Sequence, residues 1–223
     1  GGARLPRNKY PEETIQKILD ASLKLFLEKG YEETTVLDII AEMGGLTRGA
    51  FYHHFKSKEE VFEALCEKLF DEINPFEKAK QHKELNGLEK LKFVMKTSFD
   101  DTEHHKLSIA SMQLMESSAF LKKLIESNKE LVPMYQELIE EGIKDGSIQT
   151  KHSRLLAELF VLLTNFWSIP TIYMVTEDEA WEKFLMIKKI MDNLGLPIID
   201  DEVVRLCKEN ACLLYTSPSP RDV

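Results

Sequence analysis

The chain has 223 residues, enough for one or two domains with a core of ordinary size, and its 43% hydrophobic content excludes a chain that is disordered throughout. A formal net charge of −9 excludes binding of nucleic acid by bulk positive charge, so any contact with DNA must come from a local basic patch. Cys66, Cys207 and Cys212 form neither a CxxC pair nor a metal-ligand spacing, which fits a reducing cytoplasm.

Residues 1–10 form a basic arm with Arg4, Arg7 and Lys9, and Gly1-Gly2-Ala3 reads as a remnant outside the fold. Pro11 starts a helix well because it has no N–H to lose at the first position. Ile15, Ile18, Leu19, Ser22, Leu25 and Phe26 then recur with helical period until Gly30 ends the run.

The stretch from Thr34 to Lys58, TTVLDIIAEMGGLTRGAFYHHFKSK, predicts two short helices across a glycine break. Thr35 caps the first, with Asp38 three residues on as in a capping box, and Ile39, Ile40 and Met43 give it an apolar side. Gly44-Gly45 stops that helix and Thr47 caps the next. Leu46 and Phe51 are spaced as a hydrophobic staple. At about 100° per residue, Arg48, Gly49, Tyr52 and His53 share one side of the second helix, and Ala50, Phe51 and His54 the other. The first side lets a backbone approach closely and offers donors to phosphate oxygens and base edges, the chemistry that a helix-turn-helix carries into the major groove.

GGLTRGAFYHHFKSKEEVF, preceded by ILDASLKLFLEKGYEETTVLDIIAE, closely resembles the N-terminal domain of TetR-type transcriptional repressors, the detailed match covering about Ile15 to Leu65. Gly44-Gly45-Leu46 makes the turn one residue longer than the family pattern. The resemblance implies an all-α chain: a three-helix helix-turn-helix domain over residues 11–56, then a helical effector-binding and dimerisation domain over 57–211. The predicted DNA-binding set is Thr35, Thr47, Arg48, Gly49, Ala50, Tyr52, His53, Lys56 and Lys58, with Tyr52 and Lys58 on phosphate and Arg48 on phosphate or a base. Phe51 and Phe55 are expected in the core, and His54 against the first helix.

Ser57 and Glu60 make a further capping box, opening a helix with Val61, Phe62, Leu65, Leu69 and Ile73 that runs into Asn74-Pro75. Its N-terminus beside the reader, with Lys58, is expected to hold a phosphate. From Leu85 to about Leu194 the pattern is helical, with breaks near Asp100-Asp101, Gly142 to Ser147 and Pro170 to Thr176, and Pro133 is expected to kink or interrupt its helix. His152 to Met174 is the most apolar segment; its charge-free run is shorter than the ~20 residues of a membrane span, so a buried or dimer-forming helix is expected. Thr176 with Glu179 caps a helix whose Trp181, Phe184, Leu185, Ile187, Ile190, Met191 and Leu194 cover more circumference than one core face needs. Two such helices per subunit suit a four-helix dimer interface. Residues 200–210 predict a short last helix, and 212–223, CLLYTSPSPRDV, read as a non-native tail whose CLLYTSPSPRD resembles translated adapter sequence.

Met112, Met115, Asn165, Phe166, Trp167 and Tyr173 are candidates for an effector pocket, the thioethers and rings being equally suited to a filled core. Asn165, in an apolar run, needs a hydrogen-bond partner if buried. The adjacent pairs His53-His54 and His104-His105 point about 100° apart and do not chelate as i, i+4 pairs do, so no metal and no cofactor is expected. No phosphate loop, nucleophile elbow, HExxH or paired-carboxylate arrangement occurs, so no catalytic residue is assigned. The expected function is therefore a cytoplasmic, homodimeric, TetR-like repressor. It would be released from a palindromic double-stranded DNA operator by a small-molecule effector, with no membrane partner. The alternatives are a helical small-molecule-binding protein or enzyme without specific DNA binding, and a membrane-associated helical protein.

Overall fold

The computed structural model describes residues 11–45, 47–100, 118–168, 173 and 176–215, and all regular structure among them is helical. The chain divides into two compact units, one running to Glu72 and one beginning at Ile73.

The first unit holds α1 (Pro11–Lys29), α2 (Val36–Glu42), α3 (Arg48–His54) and nearly all of α4 (Lys58–Ile73). The predicted stripe on α1 is its buried face: Ile18, Leu19, Ser22, Leu25 and Phe26 all lie in the core. Phe26, Tyr31 and Phe62 form an aromatic cluster, Phe62 lying 6.0 Å from Phe26 and 5.5 Å from Tyr31 between ring centroids. Val61 and Leu65 are buried on the same face of α4. This places the start of α4 inside the reader's core, so the unit extends past the boundary expected at residue 56. The apolar stripe of α4 is part of what α1 is folded around.

The second unit contains α5 (Pro75–Gln81), α6 (Gly87–Asp100), α7 (Ser118–Asp145), α8 (Ser153–Leu162), a π-helical turn (Leu163–Trp167), α9 (Glu177–Asn193) and α10 (Asp201–Tyr215). α6 packs against α5, α7 and α10, and α7 packs against α8. Tyr135 of α7 stands edge-on to Phe76 at 4.9 Å and to Phe160 at 5.1 Å, joining α5, α7 and α8 through one ring. Where α6 begins, a Cβ on Gly87 would lie 2.1 Å from the backbone nitrogen of Gly142, so the two backbones touch. Asp145 receives the Gly87 N–H at 2.7 Å and Ser147 Oγ the Leu88 N–H at 3.2 Å, so the end of α7 caps the start of α6. Lys90, nearly buried, pairs with Glu141 one turn along the same contact.

Three sequence expectations change here. Pro133 does not interrupt its helix: α7 is continuous through it, and the proline lies on the exposed side. The predicted box at Ser57 forms by half, the serine hydroxyl accepting the Glu60 N–H at 3.3 Å while the Glu60 carboxylate takes the Lys56 N–H at 2.7 Å instead of its own cap's. The last helix continues past Asn210 to Tyr215. Thr176 and Glu179 form the reciprocal box expected of them. Among the described residues no helix is long and apolar enough to cross a membrane. Cys207 is half-buried, and burial pushes its thiol up to about 12.

Candidate nucleic-acid interface

α2 and α3 are each set by their own caps. Thr35 Oγ1 accepts the Asp38 N–H at 3.2 Å, while the Asp38 carboxylate receives both the Thr35 N–H and its hydroxyl at 2.8 Å. Those bonds, the backbone one first, and Lys29 at 3.1 Å hold the Asp38 carboxyl down at about 2. Lys24 of α1 meets Glu42 of α2 at 2.5 Å, fixing the first helix of the motif against its brace.

α2 ends at the double glycine. Gly44 and Gly45 have φ of 54° and 95°, a left-handed pair that costs a residue with a Cβ far more. Thr47 Oγ1 then accepts the Ala50 N–H at 3.2 Å and α3 begins. The staple partner expected for Phe51, Leu46, lies outside the described residues.

Phe51 is fully buried and Phe55 nearly so, their rings 6.3 Å apart, and these two hold the inner side of α3. The outer side is open: Arg48, Gly49 and His53 are exposed, and Tyr52 is 53% exposed. A Cβ built on Gly49 would meet only Thr47 Oγ1, at 3.9 Å, so nothing among the described residues requires a glycine there. His54 is half-buried, and burial, then His53 beside it, lowers its pKa, which favours the neutral imidazole.

Of the predicted site residues, Thr47, Arg48, Gly49, Tyr52, His53 and Lys56 are exposed around α3, and Ala50 is half-buried. Thr35 is exposed as well, but its hydroxyl proton is committed to Asp38. Lys58 is placed differently from expectation. Its ammonium donates to the carbonyl oxygens of Tyr31 (2.9 Å), Thr34 (3.1 Å) and Glu32 (3.2 Å), and lies 4.3 Å from the centroid of the Tyr31 ring. Three donors meet three acceptors, so within this chain Lys58 braces the α1–α2 turn.

The pocket candidates are described only in part. Met112 and Met115 lie outside the described residues, Tyr173 is exposed, and Asn165, Phe166 and Trp167 are half-buried in the π turn. Asn165 finds the partner its position demands, its Nδ2 donating to Asn128 Oδ1 at 2.6 Å. Lys183 donates to Trp167 O at 2.9 Å and stands 5.3 Å and 5.2 Å from the Trp167 and Tyr173 rings. Sequence reasoning missed Asn128 and Lys183. Asn128 had a visible signal, since it lies seven residues before Tyr135 and so on the same face of α7, where a side chain becomes buried.

A capped two-helix motif, with its second helix seated on phenylalanines and its polar side outward, in a chain that also holds a separate helical unit, defines a helix-turn-helix regulator. Residues 18–65 match the family described as bacterial regulatory proteins, tetR family. The HTH-type transcriptional repressor KstR2 of Rhodococcus jostii is 28% identical over 189 residues, 81% of this chain and 91% of the relative. That of Mycobacterium tuberculosis (strain H37Rv) is 29% identical over 134 residues, 58% of this chain, and the match spans 66% of the relative's length. Among solved structures, a TetR-family transcriptional regulator from Pectobacterium atrosepticum aligns with a TM-score of 0.62 at 20% identity, over 86% of this chain and 98% of that one. The helix-turn-helix domain over residues 18–65 is thus that of a TetR-family DNA-binding regulator, and similarity to repressors named KstR2 extends over most of the chain.

Proposed function

We propose that the protein is a cytoplasmic repressor that binds a near-palindromic operator as a homodimer and leaves it when a small molecule occupies the second unit. The observation that carries the DNA reading is the outer side of α3: Arg48, Tyr52 and His53 offer donors around a glycine that no described residue requires. Arg48 has the fork that pairs with guanine or phosphate, Tyr52 and Thr47 have hydroxyls suited to phosphate oxygens, and Lys56 adds charge at the end of the helix. The relatives named as repressors support repression rather than activation.

A second copy of this chain is the partner that the exposed apolar residues of α8 and α9 suit. Leu155 and Leu162 are two turns apart on α8, and Met186 and Leu194 flank Ile190 on α9, all exposed or half-exposed. Two helices from each copy make a four-helix interface, and a two-fold dimer presents its reading helices to two half-sites. An effector that binds better to a dimer of the wrong half-site spacing shifts the population toward the free form.

The test is a polarisation titration of the purified protein against DNA flanking its own gene, in rising salt. The expected result is binding to one fragment roughly a thousandfold or more tighter than to a scrambled duplex. Equal affinity for both at every salt concentration overturns the reading.

A further inference from the structure

We infer that the amide of Asn128 is the polar anchor of the second unit's ligand site, and that the ligand it takes is an uncharged, largely apolar molecule bearing a carbonyl acceptor. The inference rests on reading that unit as effector-binding.

Asn128 is only 7% exposed. Its Oδ1 accepts Asn165 Nδ2 at 2.6 Å, and its own Nδ2 has no hydrogen-bond partner among the described residues. Exchanging oxygen and nitrogen on both amides leaves Asn128 Oδ1 as the orphan instead, an acceptor that a ketone does not satisfy, so a ketone preference also decides the orientation of the pair. A buried amide N–H left unpaired is costly, and a fold that needed only packing at this place would be served better by leucine.

The second observation is independent of the first. Asn165 sits in the π turn, where the Ser168 N–H reaches back to Leu163 O at 3.0 Å rather than to Thr164 O. The carbonyl so deprived is taken by the Ser168 hydroxyl, and the Thr164 hydroxyl bonds Phe160 O at 2.9 Å. A π turn inserts one residue, rotating the later side chains about 100° around the helix axis, and such turns gather at functional sites. Here the wide turn is maintained by two hydroxyls and carries the asparagine that holds Asn128 in orientation.

The neighbours set the chemistry of the ligand. Seven residues along α7 from Asn128, Tyr135 packs on Phe160 of α8, and its phenol has the thioether of Met95 for an acceptor at 3.9 Å, a weak one. The helix that carries Asn128 thus also carries, two turns along the same face, an aromatic contact with α8. The pair itself bears no charge, and Lys183, the ammonium that reaches the π turn, is already on Trp167 O. Without a counter-ion among the described residues a buried anion here is costly, whereas a ketone, ester or amide carbonyl satisfies the donor without that penalty.

The experiment uses the full chain with shape-matched probes: 2-decanone against decane, cyclododecanone against cyclododecane, and decanoate as a charged arm. Binding is read from the thermal midpoint and from the Asn128 side-chain amide resonances, assigned by their loss in Asn128→Leu. The ketones should bind about tenfold or more tighter than their hydrocarbons, shift those resonances, and lose the preference in Asn128→Leu. If that variant fails to fold, Asn128→Asp keeps an acceptor for Asn165 while removing the donor, and should abolish the preference equally. The inference is overturned if neither ketone binds, if ketone and hydrocarbon bind alike, if decanoate binds best, or if Asn128→Leu is more stable and discriminates as well as the parent. DNA binding is titrated separately without probe, so loss of the repressor reading and loss of the ligand inference give different results.

Discussion

Lys58 and Tyr31, twenty-seven residues apart, meet twice: the ammonium donates to the Tyr31 carbonyl at 2.9 Å and stands 4.3 Å over the Tyr31 ring. The same ammonium collects the carbonyls of Glu32 and Thr34, so the first residue of α4 closes the turn between α1 and α2. Lys58→Met should therefore lower the stability of the unit by about 2 kcal/mol, the scale of hydrogen bonds to a charged group. The DNA affinity of the folded variant should stay within about twofold of the parent. Thermal melts beside a DNA titration check this: unchanged stability with a clear loss of affinity would return Lys58 to the phosphate.

Gly49→Leu should leave the melting temperature unchanged or raise it, since leucine is the better helix former by somewhat less than about 1 kcal/mol and only Thr47 Oγ1 lies near the new Cβ. DNA affinity should nonetheless fall by about tenfold or more, the added side chain standing where a duplex must come close. Polarisation against the same fragment decides it, and normal affinity would move the groove contact off this side of α3.

Tyr52→Phe removes one hydroxyl from an exposed ring and should not alter the denaturation curve. If that hydroxyl meets a phosphate, affinity falls by a few-fold, about 1 kcal/mol, to the same degree on related and unrelated fragments. Loss confined to one fragment would mean that the phenol reads a base.

The α2 cap gives a pH signature. The Asp38 carboxyl is held at about 2, below its ordinary value near 4, so the folded state binds its proton less readily than the unfolded state. The stabilisation is complete above about 4 and is lost as the pH falls through about 2. The stability difference between the parent and Asp38→Asn should shrink over that window in denaturant titrations. A constant difference would mean that the charge contributes nothing.

Gly87→Ala should be severely destabilising, at or above the roughly 1–3 kcal/mol usual for overpacking, because the added carbon meets backbone, which has no rotamer to change. Denaturant titration measures it. A loss below about 0.5 kcal/mol would show that α6 and α7 separate at little cost.

The reader was legible because its signals are local. Thr35, Asp38, Gly44, Gly45 and Thr47 act within a few residues of themselves, and the period of α3 alone separates Phe51 from Tyr52. The bracing bonds of Lys58 were hidden for the opposite reason: a lysine beside a reading helix looks like a phosphate ligand, and the three carbonyls it meets belong to a turn far back in the chain. Asn165 was recognisable as a residue needing a partner, but only tertiary packing names Asn128. Pro133 shows the limit of a local rule: a proline breaks helices on average, yet one on the exposed side of a long helix is carried along by the packing of the opposite side.

The touching backbones of Gly87 and Gly142 restrict how the second unit can rearrange. Side chains between two helices cushion a displacement by changing rotamer, but here no such layer exists, and sliding by one residue in either direction would wedge a side chain into the seam. Translation along the shared axis is thereby forbidden, while rotation about the point of contact is not. Any rearrangement that keeps this crossing must swing α6 and α7 like scissor blades about a fixed pivot.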